Sequence, residues 1–235
     1  MPIDPVPAET PLSKLPNFDP RTVPVIGIDG HLPAVGAQAL TPAALRQRFV
    51  RPPRWEPEVW LEPKFAQRLP ARASVLVPIV MRERPTVLLT ERTTHLSTHS
   101  GQVAFPGGKA DPTDTDAAHT ALREADEEIG LRQDAIEVIG TLPTYTTGTQ
   151  FIITPVVGLV QPGHRLEINA FEVADAFEVP LDFLMNPAHH HRHALEWAGT
   201  RREWFSMPYM DGATERFIWG ATAGMLRNFY RFLIA

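Results

Sequence analysis

The chain has no cysteine, so it can build neither a disulfide framework nor a thiolate zinc site. It has no run of about 18 apolar residues, so no membrane-spanning helix is expected. Its start, Met1-Pro2-Ile3-Asp4-Pro5, lacks the basic and apolar regions of a secretory signal, which makes the cytoplasm the expected compartment. Basic residues are the minority: 22 Lys and Arg against 27 Asp and Glu give a net charge of −5. Nucleic-acid binders favour a basic stripe, so neither nucleic acid nor membrane is an expected partner. The remainder, 43% hydrophobic and 21% charged over 235 residues, is ordinary globular usage. It is enough chain for one sizeable domain with an appendage.

Proline is plentiful but uneven. Residues 1–70 hold 14 of the 24 prolines, which discourages long helices and central strands there. Thr41 as cap and Pro42 in the first helical position predict one short helix over 42–50. Residues 52–57 read as an extended strap pinned by Trp55. The organisation expected is a Pro-rich N-terminal extension over 1–70, partly extended, and a folded domain over 71–235. The first forty residues suit a disordered arm, a strap or part of an oligomer interface, which leaves a homodimer open.

From Ala71 the pattern is mixed α and β. Strands are predicted over 74–81 and 86–91, joined as a hairpin by Arg82-Glu83-Arg84-Pro85. A short strand over 102–105 enters the turn Gly107-Gly108. A helix follows over 116–129, then strands over 136–142 and 151–160, the latter an edge or bulged strand because of Pro155. Further expectations are a strand over 171–177, a short helix over 181–185, a strand over 203–209 and a helix over 218–232.

The most informative segment is Arg123-Glu124-Ala125-Asp126-Glu127-Glu128-Ile129-Gly130-Leu131. On a helix, Glu124, Glu127 and Glu128 fall at i, i+3 and i+4 and share one face. Such a face is either a solvated acidic surface or a site for a hard divalent cation, Mg²⁺ above all. Leu122, Ala125 and Ile129 form an apolar stripe that would dock the helix. Gly130 suits its C-cap, and Arg123 can hold a neighbouring carboxylate.

This pattern resembles the Nudix box, G-x5-E-x7-R-E-U-x-E-E-x-G-U with U apolar. Arg123, Glu124, Ala125, Glu127, Glu128, Gly130 and Leu131 match it. The spacing from Gly108 to Arg123 is one residue longer than the general pattern. The early Glu is absent, with only Asp111, Asp114 and Asp116 nearby. Upstream, Leu88 to Lys109, including Arg92, Gly101-Gln102 and Phe105-Pro106-Gly107-Gly108, resembles the signature of the coenzyme A diphosphatase branch of Nudix hydrolases. Thr93 replaces a Ser of that signature and Ser97 an Arg. The resemblance covers about residues 72–235.

The resemblance implies an α/β fold, an α/β/α sandwich with a mixed sheet. It implies Mg²⁺ (or Mn²⁺) on Glu124, Glu127 and Glu128, with Glu127, Glu128, Glu172 and Arg123 as the catalytic set. Glu172 is the candidate base from outside the box, in a segment Asn169–Val173 whose bland reading is a surface strand position opposite Phe171 and Val173. Substrate contacts are expected from Arg92, Gly101, Gln102, Phe105, Gly107, Gly108 and Lys109. The implied reaction is hydrolysis of the diphosphate of coenzyme A or a derivative. The alternatives are a Nudix diphosphatase for ADP-ribose, a dinucleotide or a nucleoside triphosphate, and a non-catalytic ligand-sensing module. Prenyl diphosphate isomerisation is disfavoured by the missing Cys.

Other residues read as structural. His189, His190, His191 and His193 suit a solvated loop, since no local carboxylate or Cys completes a metal site. His95 and His99 suit substrate contact or loop hydrogen bonding. Trp197, Trp204 and Trp219 suit the core rather than an adenine platform. Residues 217–223 resemble a C-terminal helix of the coenzyme A branch, expected to serve in packing or to line the pocket.

Overall fold

The computed structural model describes residues 18–58, 62, 69–93, 101–197 and 199–235. Its strands are β1 (Val25–Ile28), β2 (Ala71–Val80), β3 (Thr86–Arg92), β4 (Val103–Ala104), β5 (Gly107–Lys109), β6 (Ile136–Thr141), β7 (Tyr145–Thr146), β8 (Phe151–Val160), β9 (Val173–Pro180), β10 (His191–Trp197), β11 (Thr200–Asp211) and β12 (Thr214–Trp219). Its helices are α1 (Pro42–Val50), α2 (Ala117–Ile129), α3 (Leu181–Leu184) and α4 (Gly220–Ile234).

Two sheets form. In the larger, β4-β3-β2-β8-β6 run side by side, with β5, β7 and β9 added on β2, β8 and β3. The β2–β8 pair is parallel and the others antiparallel, so the sheet is mixed. The smaller sheet runs β1-β10-β11-β12. Side chains alternate across the pleat, and β2 shows the consequence. Leu76 and Val80 face α2, with Ala121, Ala125 and Ile129. Val77 and Ile79 face the second core, with Leu45 of α1, Leu181 of α3, Met207 of β11 and Phe229 of α4. The larger sheet thus lies between α2 and a layer of the other helices with the smaller sheet, an α/β/α arrangement. Among the described residues no helix is long and apolar enough to cross a membrane.

The predicted α1 appears with its cap: the Thr41 hydroxyl accepts from the Ala44 N–H. The β2–β3 hairpin forms across Arg82–Pro85. Pro155, however, lies inside β8, between β2 and the β6–β7 side. The carbonyl of Pro155 accepts from Leu142 N at 3.0 Å, so its missing N–H faces the break between β6 and β7. The parallel ladder to β2 loses nothing.

Three further expectations are corrected. The strand expected over 171–177 starts at Val173; Phe171 is exposed, and Phe171-Glu172 form a turn. Asn169 makes it, accepting from Phe171 N through its side chain and from Glu172 N and Val173 N through its carbonyl. The helix expected from Ile218 starts at Gly220. Residues 214–219 are a strand because Met207 pairs with Ile218 and Ser206 with Trp219; neither the helical nor the strand period distinguishes them locally. The histidine tract is not a solvated loop: His190 is fully buried and His193 nearly so, on and beside β10. His193 Nδ1 lies 3.0 Å from Val23 O, its Nε2 2.8 Å from Ser206 Oγ, and its ring stacks on Trp204. Trp204 is buried and Trp219 half-buried.

Candidate active site

Helix α2 is fixed at both ends. The Asp116 carboxylate accepts from His119 N at 2.8 Å, and Gly130, at φ 64°, closes the C-terminus with bonds to Asp126 O and Ala125 O. Positive φ is cheap only for glycine. The next segment is latched to the same end: Glu167 N donates to Ile129 O and Asn169 N to Glu128 O. This brings the Glu172 turn to the carboxylate face. Thr93, just after β3, secures it, its N–H donating to Glu172 O and its hydroxyl to Phe171 O.

Arg123 organises the helix face. Its guanidinium donates to Asp114 through Nε and Nη2 (3.0 Å each), to Glu124 (3.0 Å), to Glu127 (3.0 Å) and to the Lys109 carbonyl (3.3 Å). Asp114 is nearly inaccessible, and Arg123 holds its carboxyl well below the usual range. Asp114 is the residue that sequence reasoning left unassigned. Its signal was present: it stands six positions after Gly108, where the box has its early acid. These bonds tie Arg123 to three neighbouring carboxylates and one carbonyl.

Glu128 is 4% exposed. Burial, with the charges of Glu124 and Glu172, pushes its carboxyl up to about 7. Opposing this, Gly107 N donates to it at 3.1 Å and Arg92 Nη1 at 3.5 Å. Burial likewise raises Glu124. Glu127 is more exposed, its carboxylate turned onto Arg123. Among the described residues no three acidic or histidine side chains converge as a ready-made metal cage. The donor chemistry nevertheless suits a hard divalent cation: Glu124 and Glu128 are oxygen ligands whose burial disfavours uncompensated charge.

Strand β5 separates these carboxylates from a cleft of about 310 Å³. Its two glycines make the close approach. A Cβ on Gly107 would come within 2.6 Å of Val75 Cα, and one on Gly108 within 2.6 Å of Glu124 Cδ. The cleft borders Gly107, Gly108, Lys109, Arg92, Gln102 and Phe105, six of the seven residues expected to contact substrate. Gly101, at φ 65°, instead shapes the turn, with Gly101 N donating to Arg92 O and Arg92 N to Gln102 O. His95, Ser97 and His99 lie outside the described residues. Trp219, from the segment 217–223, borders the cleft too, and Glu62, Thr147, Thr149, Trp204 and Met225 border it without having been anticipated.

Residues 70–198 match the model of the NUDIX domain family. A protein of Enterobacter sp. (strain 638) described as "Uncharacterized Nudix hydrolase NudL" is 40% identical over 171 residues, 72% of this chain and 86% of its own. Its namesake in Escherichia coli (strain K12) is 42% identical over 158 residues, 67% of this chain and 80% of its own. Among solved structures, a C. elegans Ap4A hydrolase binary complex aligns with 50% of this chain and 85% of its own, at 18% identity and a TM-score of 0.41. The buried carboxylate helix behind a glycine strand is therefore that of a family member: this chain belongs to the Nudix hydrolases, enzymes acting on diphosphate substrates and generally using divalent metal ions.

Proposed function

We propose that the protein hydrolyses the diphosphate of coenzyme A or a derivative. The products are 4′-phosphopantetheine, or its acyl form, and adenosine 3′,5′-bisphosphate. The observation that carries this reading is the cleft beside the Glu124–Glu128 face. It borders the cations Arg92 and Lys109 at the glycine strand and continues over an apolar wall of Val75, Phe151, Ile153 and Trp219. A diphosphate with a long, largely uncharged arm matches that sequence of surfaces. The upstream signature from Leu88 to Gly108 supports the same branch.

Glu124 and Glu128, with Glu127 after a rotation away from Arg123, are the residues that would hold Mg²⁺ or Mn²⁺. Such an ion supplies charge neutralisation of the diphosphate and a more acidic water. The chain's own groups do the rest. Arg123 and Asp114 fix the helix carboxylates. Arg92 and Lys109 hold phosphate oxygens, Arg as a fork and Lys as a point charge. The Gly107–Gly108 backbone admits the phosphates closely. Glu172, on its Asn169-stabilised turn, is the proposed base for the attacking water, a role typically worth about 10²–10⁴-fold in rate.

The test is a panel of coenzyme A, ADP-ribose, NADH and nucleoside triphosphates with Mg²⁺ or Mn²⁺, products identified by mass spectrometry. Coenzyme A is expected to have the highest kcat/KM, and Glu172→Gln to lower kcat with little change in KM. A clear preference for ADP-ribose would refute the assignment, and an unchanged kcat in Glu172→Gln would remove the base.

A further inference from the structure

The cleft has two chemically different ends. Lys109, Ala73, Ile153 and Tyr145 form a row across β5, β2, β8 and β7, which at strand spacing spans roughly 14 Å. The β5 end carries Lys109, Arg92 and the glycine backbone. The β7 end carries Glu62, with the hydroxyls of Thr147 and Thr149. Between them the floor is apolar. Trp204, whose buried Nε1 has no hydrogen-bond partner among the described residues, lines the same cleft.

Glu62 is held in place rather than waving at the surface. Its Oε1 accepts from the Tyr145 hydroxyl at 2.6 Å and its Oε2 from Gly148 N at 2.9 Å, while its own N–H donates to Thr146 O at 2.9 Å. Both side-chain partners are neutral. A carboxylate offers about four lone-pair sites, and among the described residues two of them are taken. Glu62 precedes the residues that match the family model: it is an acid lent to the cleft by the N-terminal extension.

We propose that Glu62 is a specificity-determining residue, which accepts hydrogen bonds from N–H or O–H donors on the uncharged arm of the substrate and turns phosphate away from that end. On the coenzyme A reading above, on which this rests, the pantetheine arm crosses the apolar floor, its amide and hydroxyl donors approaching Glu62. The 3′-phosphoadenosine leaves on the other side of the glycine strand. A site built to bond a donor discriminates strongly against an analogue that lacks it.

The experiment compares wild type with Glu62→Gln on two substrates: coenzyme A, and the same nucleotide diphosphate with a methyl ester in place of pantetheine. Glu62→Gln is expected to raise KM for coenzyme A about tenfold, the effect of roughly 1.4 kcal/mol, with kcat kept and the methyl ester unaffected. Equal losses on both substrates, or none, would overturn the inference alone. Wild type failing to cleave coenzyme A would overturn the reading beneath it and this inference with it. A binding measurement covers a variant that does not fold. 4′-Phosphopantetheine is expected to inhibit wild type at least about tenfold better than its N-methylated amide analogue, the same free-energy step, and equal inhibition would overturn the proposal.

Discussion

Glu128 must be an anion to hold a divalent cation, yet its surroundings favour the neutral acid. Burial comes first, then the nearby Glu124 and Glu172 charges, with Gly107 N–H and Arg92 opposing. The folded carboxyl, at about 7, lies above its ordinary value of 4.5. The folded state therefore holds the extra proton between those values. Its stabilisation is present below the lower pKa and is lost as pH rises through the upper. In chelator, the melting temperature is expected to fall between about pH 4.5 and 7, and added Mg²⁺ to restore it. Glu128→Gln is expected to flatten that pH step and to lower turnover by about 10²-fold or more, the scale of losing one electrostatic partner at a reaction centre, with the circular dichroism of the fold unchanged. Activity within a few-fold of wild type at saturating Mg²⁺ would remove Glu128 from the site.

At the scale of the element, β5 does two jobs with adjacent glycines, and they separate experimentally. A Cβ on Gly107 meets the backbone of Val75, and its φ of 153° is unfavourable for other residues. Gly107→Ala is expected to cost about 1–3 kcal/mol of stability. The three atoms nearest a Cβ on Gly108 are those of the Glu124 carboxyl, the far end of a flexible side chain. Gly108→Ala is expected to melt near wild type yet to need several-fold more divalent cation for half-maximal rate. A variant with normal cation dependence would show that Glu124 does not work where it lies. Much of this element and of α2 was legible in the sequence. Caps, turns and the i, i+3, i+4 acidic face are local relations, and Asp116, Gly130 and Gly108 announce them within a few residues. Asp114 was equally local but hidden by the inserted residue of the box, which misaligns a count made backwards from Arg123.

At the scale of the molecule, the N-terminal segment is tied in by charge. Arg227 of α4, 1% exposed, meets Asp29 at 2.9 Å, Glu58 at 2.8 Å and the His190 ring nitrogen at 3.1 Å. Arg192 of β10 bonds the same two acids, and both arginines lie over the Phe205 ring. Burial lowers His190 to about 4, which leaves it neutral and able to accept from Arg227. Although burial opposes it, the Arg192 bond and Arg227 charge keep Asp29 ionised below its ordinary value. Removing one partner of a buried pair costs about 3–5 kcal/mol. Because Glu58 remains, Asp29→Asn is expected near the lower end of that range, read as a drop in melting temperature. An unchanged melt would make the segment a passenger.

The sequence by itself determined the box helix, its caps, the glycine strand, the β2–β3 hairpin and the family. Each depends on residues within a turn or two of one another, where spacing is geometry. Only the tertiary structure decided the burial of His190 and His193, the turn that carries Glu172, the strand over 214–219 and the place of Glu62 in the cleft. Those depend on partners far along the chain. His193 meets Val23 across 170 residues and Glu62 meets Tyr145 across 83. No local pattern encodes such a separation, because burial and hydrogen bonding there are properties of the surfaces that folding brings together.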